Sequence, residues 1–129
     1  MSGETDLQKL LAGMQPALCG RDWGYALAAA PPAGVTAFAT VAEEEGLTLI
    51  APMAQLLAAG LAPQGPMARI TLTIHSALQA VGLTAAVSGA LAQAGISANM
   101  IAGFHHDHIF LPAEDADRAM AVLQGLSDA

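Results

Sequence analysis

The stretch from Arg69 to Leu111 constrains the fold of this 129-residue chain more than any other. Met67 to His75 alternates: Ile70, Leu72 and Ile74 fall on one face, and Thr71, Thr73 and His75 on the other, as in a half-buried strand. Gly82 then opens a helical pattern with Leu83, Val87, Ala90, Leu91 and Ala94 on one side, and Gly95 is a natural left-handed residue just past its end. Ile96 to Phe104 reads as a second strand, His105 to Asp107 as a tight turn and His108 to Leu111 as the return strand. A helical pattern from Asp115 to Leu126 follows, with Ala116, Ala119, Met120, Leu123 and Leu126 inward. The order β-α-β-β-α belongs to small regulatory ligand-binding domains more than to enzymes. A β-α-β-β-α-β sandwich needs one more strand after the last helix, yet Ala129 lies just beyond Leu126. That strand comes from the N-terminal half, comes from another chain, or is absent.

The N-terminal half is patterned differently. Asp6 to Met14 reads as a short helix, capped by Thr5 or Asp6, with Leu7, Leu10, Leu11 and Met14 as its apolar stripe. Asp22 to Ala29 reads as a strand in which Trp23, Tyr25 and Leu27 share a face. Val35 to Val41 and Leu47 to Ala51 are two more, separated by the turn Glu43-Glu44-Glu45-Gly46. Pro52 suits a first helical turn, and Met53, Leu56 and Leu57 supply the face of a helix ending near Gly60. Ala62 to Pro66 reads as a loop and marks the expected boundary between residues 1–64 and residues 65–129. Hairpin followed by helix occurs twice, over Ala37–Gly60 and over Ala98–Leu126, which fits two similar small lobes.

Composition narrows the possible partners. Four Lys and Arg against eleven Asp and Glu give a net charge of −7. Lys9, Arg21, Arg69 and Arg118 are scattered, whereas nucleic acid binding needs clustered cations to displace counterions. Anionic membrane surfaces are disfavoured for the same reason. Ala77 to Asn99 carries no charge and is long enough to span a bilayer. Its polar residues and glycines argue against a membrane helix. Cys19 is the single cysteine, so no intrachain disulfide and no cysteine zinc pattern is expected. A polar, acidic N-terminus does not read as a signal peptide, and a cytoplasmic setting fits. Low charge, abundant apolar residues and the unplaced strand together lead us to expect a homodimer.

Few residues carry chemistry. Gly82 stands between a strand end and a helix start, where free N–H groups can hold a carboxylate. Asn99 offers a side-chain amide nearby in sequence. The plainer alternatives are that Gly82 only permits a tight turn and Asn99 only caps a strand end. His105, His106, Asp107 and His108, with His75 as a fifth member, are residue types that bind zinc, nickel or iron. A tight hairpin splays these side chains, and Asp107 is also a common turn residue, so no metal site is expected. A metal-dependent enzyme built on His105 to His108 is the rival function; a dimeric interaction module without a ligand is another. Glu43 to Glu45 read as a solvated turn, and Cys19 has no histidine beside it in sequence. No nucleophile elbow, P-loop or dinucleotide fingerprint occurs.

At VGLTA, GISANMIAG and DHIFL the chain resembles an ACT domain, and EEEGLTLI and ITLTIHSALQAVGLTAA recur in a family of small bacterial proteins with two tandem ACT-like domains and no catalytic domain. The resemblance covers nearly the full length. A more distant likeness is to the paired ACT domains of aspartate kinases and of eukaryotic arginine sensors. It implies an α+β fold of ferredoxin-like βαββαβ type with antiparallel sheets in two tandem lobes. The N-terminal lobe is atypical: it starts with a helix and lacks a second VGLTA-like loop. The resemblance further implies a regulatory protein that binds a small molecule, most simply an amino acid, with no catalysis and no cofactor. The ligand would lie between two domains. Carried over residue by residue, the glycine-led loop is Ala80, Val81, Gly82, Leu83 and Thr84, and the strand facing it is Asn99, Met100 and Ile101. The ligand's ammonium group would need an acceptor, a backbone carbonyl or Asp107.

Overall fold

The computed structural model describes residues 6–73 and 82–128. In chain order its elements are α1 (Leu7–Ala12), β1 (Pro16–Leu18), β2 (Trp23–Ala28), β3 (Ala39–Glu43), β4 (Gly46–Pro52), α2 (Met53–Ala58), β5 (Gln64–Leu72), α3 (Leu83–Gln93), β6 (Asn99–Ala102), β7 (Asp107–Pro112) and α4 (Ala116–Asp128). The chain forms two compact units, one from Met1–Cys19 with Ala68–Ala129, the other from Gly20–Met67.

In the first unit the strand order is β1-β5-β7-β6. This is the order of a ferredoxin-like sandwich in which β1 occupies the position of the sixth element. Pro16, Ala17 and Leu18 pair antiparallel with Leu72, Thr71 and Ile70, and the Cys19 N–H extends the ladder to the Arg69 carbonyl at 2.7 Å. The closing strand therefore comes from the chain's own N-terminal residues. One face of this sheet carries Ile70, Leu72, Ile109 and Leu111, all buried against Leu10, Leu83, Val87, Leu91 and Leu123 from the three helices and against Met14 just after α1. Strand alternation turns Thr71, His108 and Phe110 to the opposite face.

The helix ends follow the residues that cap them. The Asp6 carboxylate accepts the N–H groups of Gln8 and Lys9 at 3.0 and 3.3 Å, closing the start of α1. At the end of α3, Gly95 adopts φ +77°, its N–H reaches the Ala92 carbonyl, and that of Ile96 reaches Leu91. These two bonds satisfy carbonyls that the helix leaves unpaired. They also bury Ile96 in the core, so β6 starts only at Asn99 and not at Ile96 as the apolar run predicts. Arg118 of α4 donates to the Ala94 carbonyl at the same helix end and to Asp115 at 3.1 Å.

The second unit has the order β5-β2-β4-β3, the same ferredoxin-like sequence of strands. The stretch between β2 and β3 stands where such a sandwich has its first helix, and no helix forms there. The strand expected over Val35–Val41 is shorter and later, Ala39–Glu43. Val35 and Ala37 pack instead onto the small core of Ala26, Leu49, Ala51 and Leu56, while the Gln55 side chain accepts the Thr36 N–H at 2.7 Å. Gly24 and Ala26 lie buried under α2; a Cβ at Gly24 would come within 2.5 Å of the Met53 sulfur. That close approach sends Trp23, Tyr25 and Leu27 to the other face. The expected loop Ala62–Pro66 is in part strand, since β5 begins at Gln64. Gly65 makes this possible, because a Cβ there would stand 2.7 Å from the Trp23 carbonyl oxygen. Among the described residues no helix is long and apolar enough to cross a membrane.

Candidate functional site

Helix α3 begins immediately after Gly82, whose φ of +96° lies in the left-handed region that favours glycine. Among the described residues no side chain caps this end. The first helical bond runs from the Ala86 N–H to the Gly82 carbonyl at 2.9 Å, so the N–H groups of the first turn have no acceptor within the helix. With the partial positive charge of the helix end, they form a place where an anionic group is favoured. Leu83 is buried, and only its backbone is available there. Thr84 is exposed, and its carbonyl accepts the Ser88 hydroxyl at 2.7 Å. Ala80 and Val81 lie outside the described residues, as does His75.

One neighbour of this loop has no signal in the sequence. Leu7 of α1 packs over Gly82, and a Cβ on that glycine would stand 3.1 Å from a Leu7 methyl carbon. The N-terminal helix thus lines the same loop that the glycine shapes.

The strand half of the expected site sits elsewhere in the unit. Asn99 is the first residue of β6 and Gly82 the residue before α3, so they flank opposite ends of an 11-residue helix. At 1.5 Å per residue that helix is about 16 Å long. Asn99 is exposed and donates to the Phe110 carbonyl at 3.2 Å, so its amide partly serves its own hairpin. Met100 packs against the core, and Ile101 lies opposite His108 on β7. β6 is the last strand of its sheet, and its outer edge has no partner strand among the described residues. Asp107 pairs with Ala102, at the far end of β6 from Asn99. Burial raises the Asp107 pKa, against the opposing pull of His108 and then His106.

A second polar group, not foreseen, occupies the face of β5 and β7 away from the helices. The Thr71 hydroxyl and Nδ1 of His108 are 2.9 Å apart. Burial holds the His108 pKa below its ordinary value; the charges of Arg69 and His106 act in the same direction, and Asp107 opposes them. The alternation of β5 puts Thr71 on this face, but its pairing with His108 needs the sheet order. Among the described residues no three His, Cys, Asp or Glu side chains come close enough to hold a metal ion. The His105 and His106 rings are 6.2 Å apart, and His105 instead meets Phe104 edge-on at 5.0 Å.

Two ACT-domain family models match the chain, one over residues 2–68 and the other over residues 68–125. The chain belongs to the ACT-domain family. ACT domains are regulatory modules that bind small molecules, and here two stand in tandem. A solved structure from Vibrio cholerae, described as a protein of unknown function and possible transport protein, is 40% identical over 94% of this chain and 95% of that one, with a TM-score of 0.84. An Agrobacterium tumefaciens protein is 15% identical with a TM-score of 0.74, covering 87% of each chain. The regulatory subunit of aspartate kinase from Thermus thermophilus is 13% identical, covers 89% of this chain and 97% of that one, and has a TM-score of 0.69. The last two likenesses are of fold. No curated protein matches the chain.

Proposed function

We propose that this ACT protein is a sensor that binds an amino acid and makes or breaks no bond itself. The carrying observation is the left-handed Gly82 at the start of α3, where no described side chain caps the helix. The ligand carboxylate would lie against the backbone of residues 80–84, at the positive end of α3. Because Asn99 and Gly82 flank opposite ends of α3 within one chain, the strand that faces the loop is assigned to a second copy. Asn99, Met100 and Ile101 on the open edge of β6 would supply it, in a homodimer joined along that edge. Asp107 or a backbone carbonyl would accept from the ammonium group. Binding would change the affinity of the dimer for whatever it regulates.

The test is a thermal-shift screen of the twenty amino acids, since a ligand that prefers the folded state raises its melting temperature. Calorimetry on variants then locates the site. Gly82→Val is expected to abolish binding, and Asn99→Ala to weaken it by about 1 kcal/mol. Because a side chain at Gly82 also strains the turn, Thr84→Glu provides the cleaner arm. A carboxylate in the first turn of α3 favours the helix by ~0.3–1 kcal/mol, yet repels an incoming carboxylate. A variant that melts no lower than the parent but binds less tightly is the expected result. Unchanged affinity in Thr84→Glu places the ligand elsewhere, and no shift with any of the twenty removes the amino-acid reading.

A further inference from the structure

The sheet face of the Gly20–Met67 unit turned away from α2 has an exposed apolar row. Leu27 on β2 pairs with Thr48 on β4, and Thr48 with Val41 on β3. The three therefore stand side by side on one face. Leu27 is 52% and Val41 50% exposed, although each lies in the middle or second half of a regular strand. Next to the row a shallow depression opens between Tyr25, Leu27, Thr48 and Gln64. β3 is the outermost strand on this side, and its free edge has no partner strand among the described residues. An apolar row leading to an unpaired strand edge is a surface to which an extended segment can add.

Charge chooses among the possible occupants. The turn that ends β3 is Glu43-Glu44-Glu45, all exposed, with the Glu43 carboxylate held by the Thr48 hydroxyl beside the row. Residues 20–67 contain four carboxylates and a single basic residue, Arg21, and the whole chain carries −7. A second copy brings neither lysine nor arginine on its own β3 and adds repulsion between like-charged chains. A segment with apolar residues at alternate positions and lysine or arginine at its ends satisfies the row, the edge and the acidic turn together. From these features we infer that β3, with Leu27, Thr48 and Val41, is the docking edge for a basic, extended segment of a partner protein. It is distinct from the Gly82 loop and does not depend on the ligand proposed there.

The experiment uses the whole chain and a short fluorescein-labelled peptide of alternating valine and threonine with lysines at both ends. A twin with glutamates in place of the lysines is the control. The lysine peptide is expected to bind, more weakly as salt rises, and to slow hydrogen exchange at Ala39 to Glu43. Val41→Lys and the double change Glu44→Gln with Glu45→Gln should each weaken it about tenfold. The glutamine pair lies in an exposed turn and removes charge without touching the core. Failure of both peptides to bind, equal binding of the two, or protection at amides outside β3 and its neighbours overturns the assignment. So does protection of the same amides as protein concentration rises without peptide, which would make a second copy the occupant.

Discussion

The Thr71 hydroxyl stands 2.9 Å from Nδ1 of His108, joining β5 to β7 on the face away from α1, α3 and α4. Either group can donate in this contact, as the hydroxyl and the imidazole each give or take a proton; burial, then the Arg69 charge, favours the neutral imidazole. A histidine held below its ordinary 6.5 contributes stability that is complete above that pH. As pH falls from 6.5 toward the folded-state value, the unfolded chain takes up the proton first and stability is lost. The expected outcome is a denaturation midpoint that drops as pH falls below 6.5, with a shallower drop in His108→Gln. Asp107, raised above 3.8 by burial, acts in the other sense at lower pH: its contribution is present below 3.8 and lost as pH rises through the folded value. Urea titrations at a series of pH values check both signs.

Gly82 is constrained twice, by φ +96° and by Leu7 at 3.1 Å from the missing Cβ. Gly82→Ala is expected to destabilise by roughly 1–3 kcal/mol. Leu7→Ala should cost less in the Gly82→Ala background than alone, because it clears the methyl that the new Cβ meets. A double-mutant cycle measures the difference, and strict additivity would mean that the backbone angle alone sets the cost.

The closing strand comes from residues ahead of the second unit, and α1 with the turn after it places Leu10 and Met14, both fully buried, in the core of the first. Leu10→Ala is expected to cost ~2–5 kcal/mol in urea unfolding. A chain beginning at Gly20 should lose protection from hydrogen exchange across β5, β7 and α3, whose sheet and core both lack a layer without it. Retained protection there would mean that β1 adds little to the unit.

Where a helix is missing between β2 and β3, the Gln55 side chain holds the loop through the Thr36 N–H at 2.7 Å. Gln55→Ala is expected to speed exchange at Thr36 and to cost about 1 kcal/mol. β4 should be unaffected, since Leu49 and Ala51 pack independently of that bond.

Periodicity alone located most elements because it reports which side of a segment meets a core. Leu83, Val87 and Leu91, and Ala116, Ala119 and Leu123, are the buried faces that their 3.6-residue spacing predicts, and Ile70 and Leu72 the buried face of their strand. Gly95 and Asp6 act as helix caps through local hydrogen bonds, which sequence neighbours suffice to specify. The VGLTA and EEEGLTLI motifs likewise placed the chain in its family. What needed the tertiary structure was every pairing between distant segments. Nothing in residues 16–18 says that they lie beside Leu72, or in Leu7 that it covers Gly82. The strand limits at Val35 and Ile96 moved because those side chains found burial off the sheet, a choice made by neighbours far along the chain. The expected ligand residues could be named one by one, but their separation by the length of α3 became visible only when strand order fixed where β6 lies.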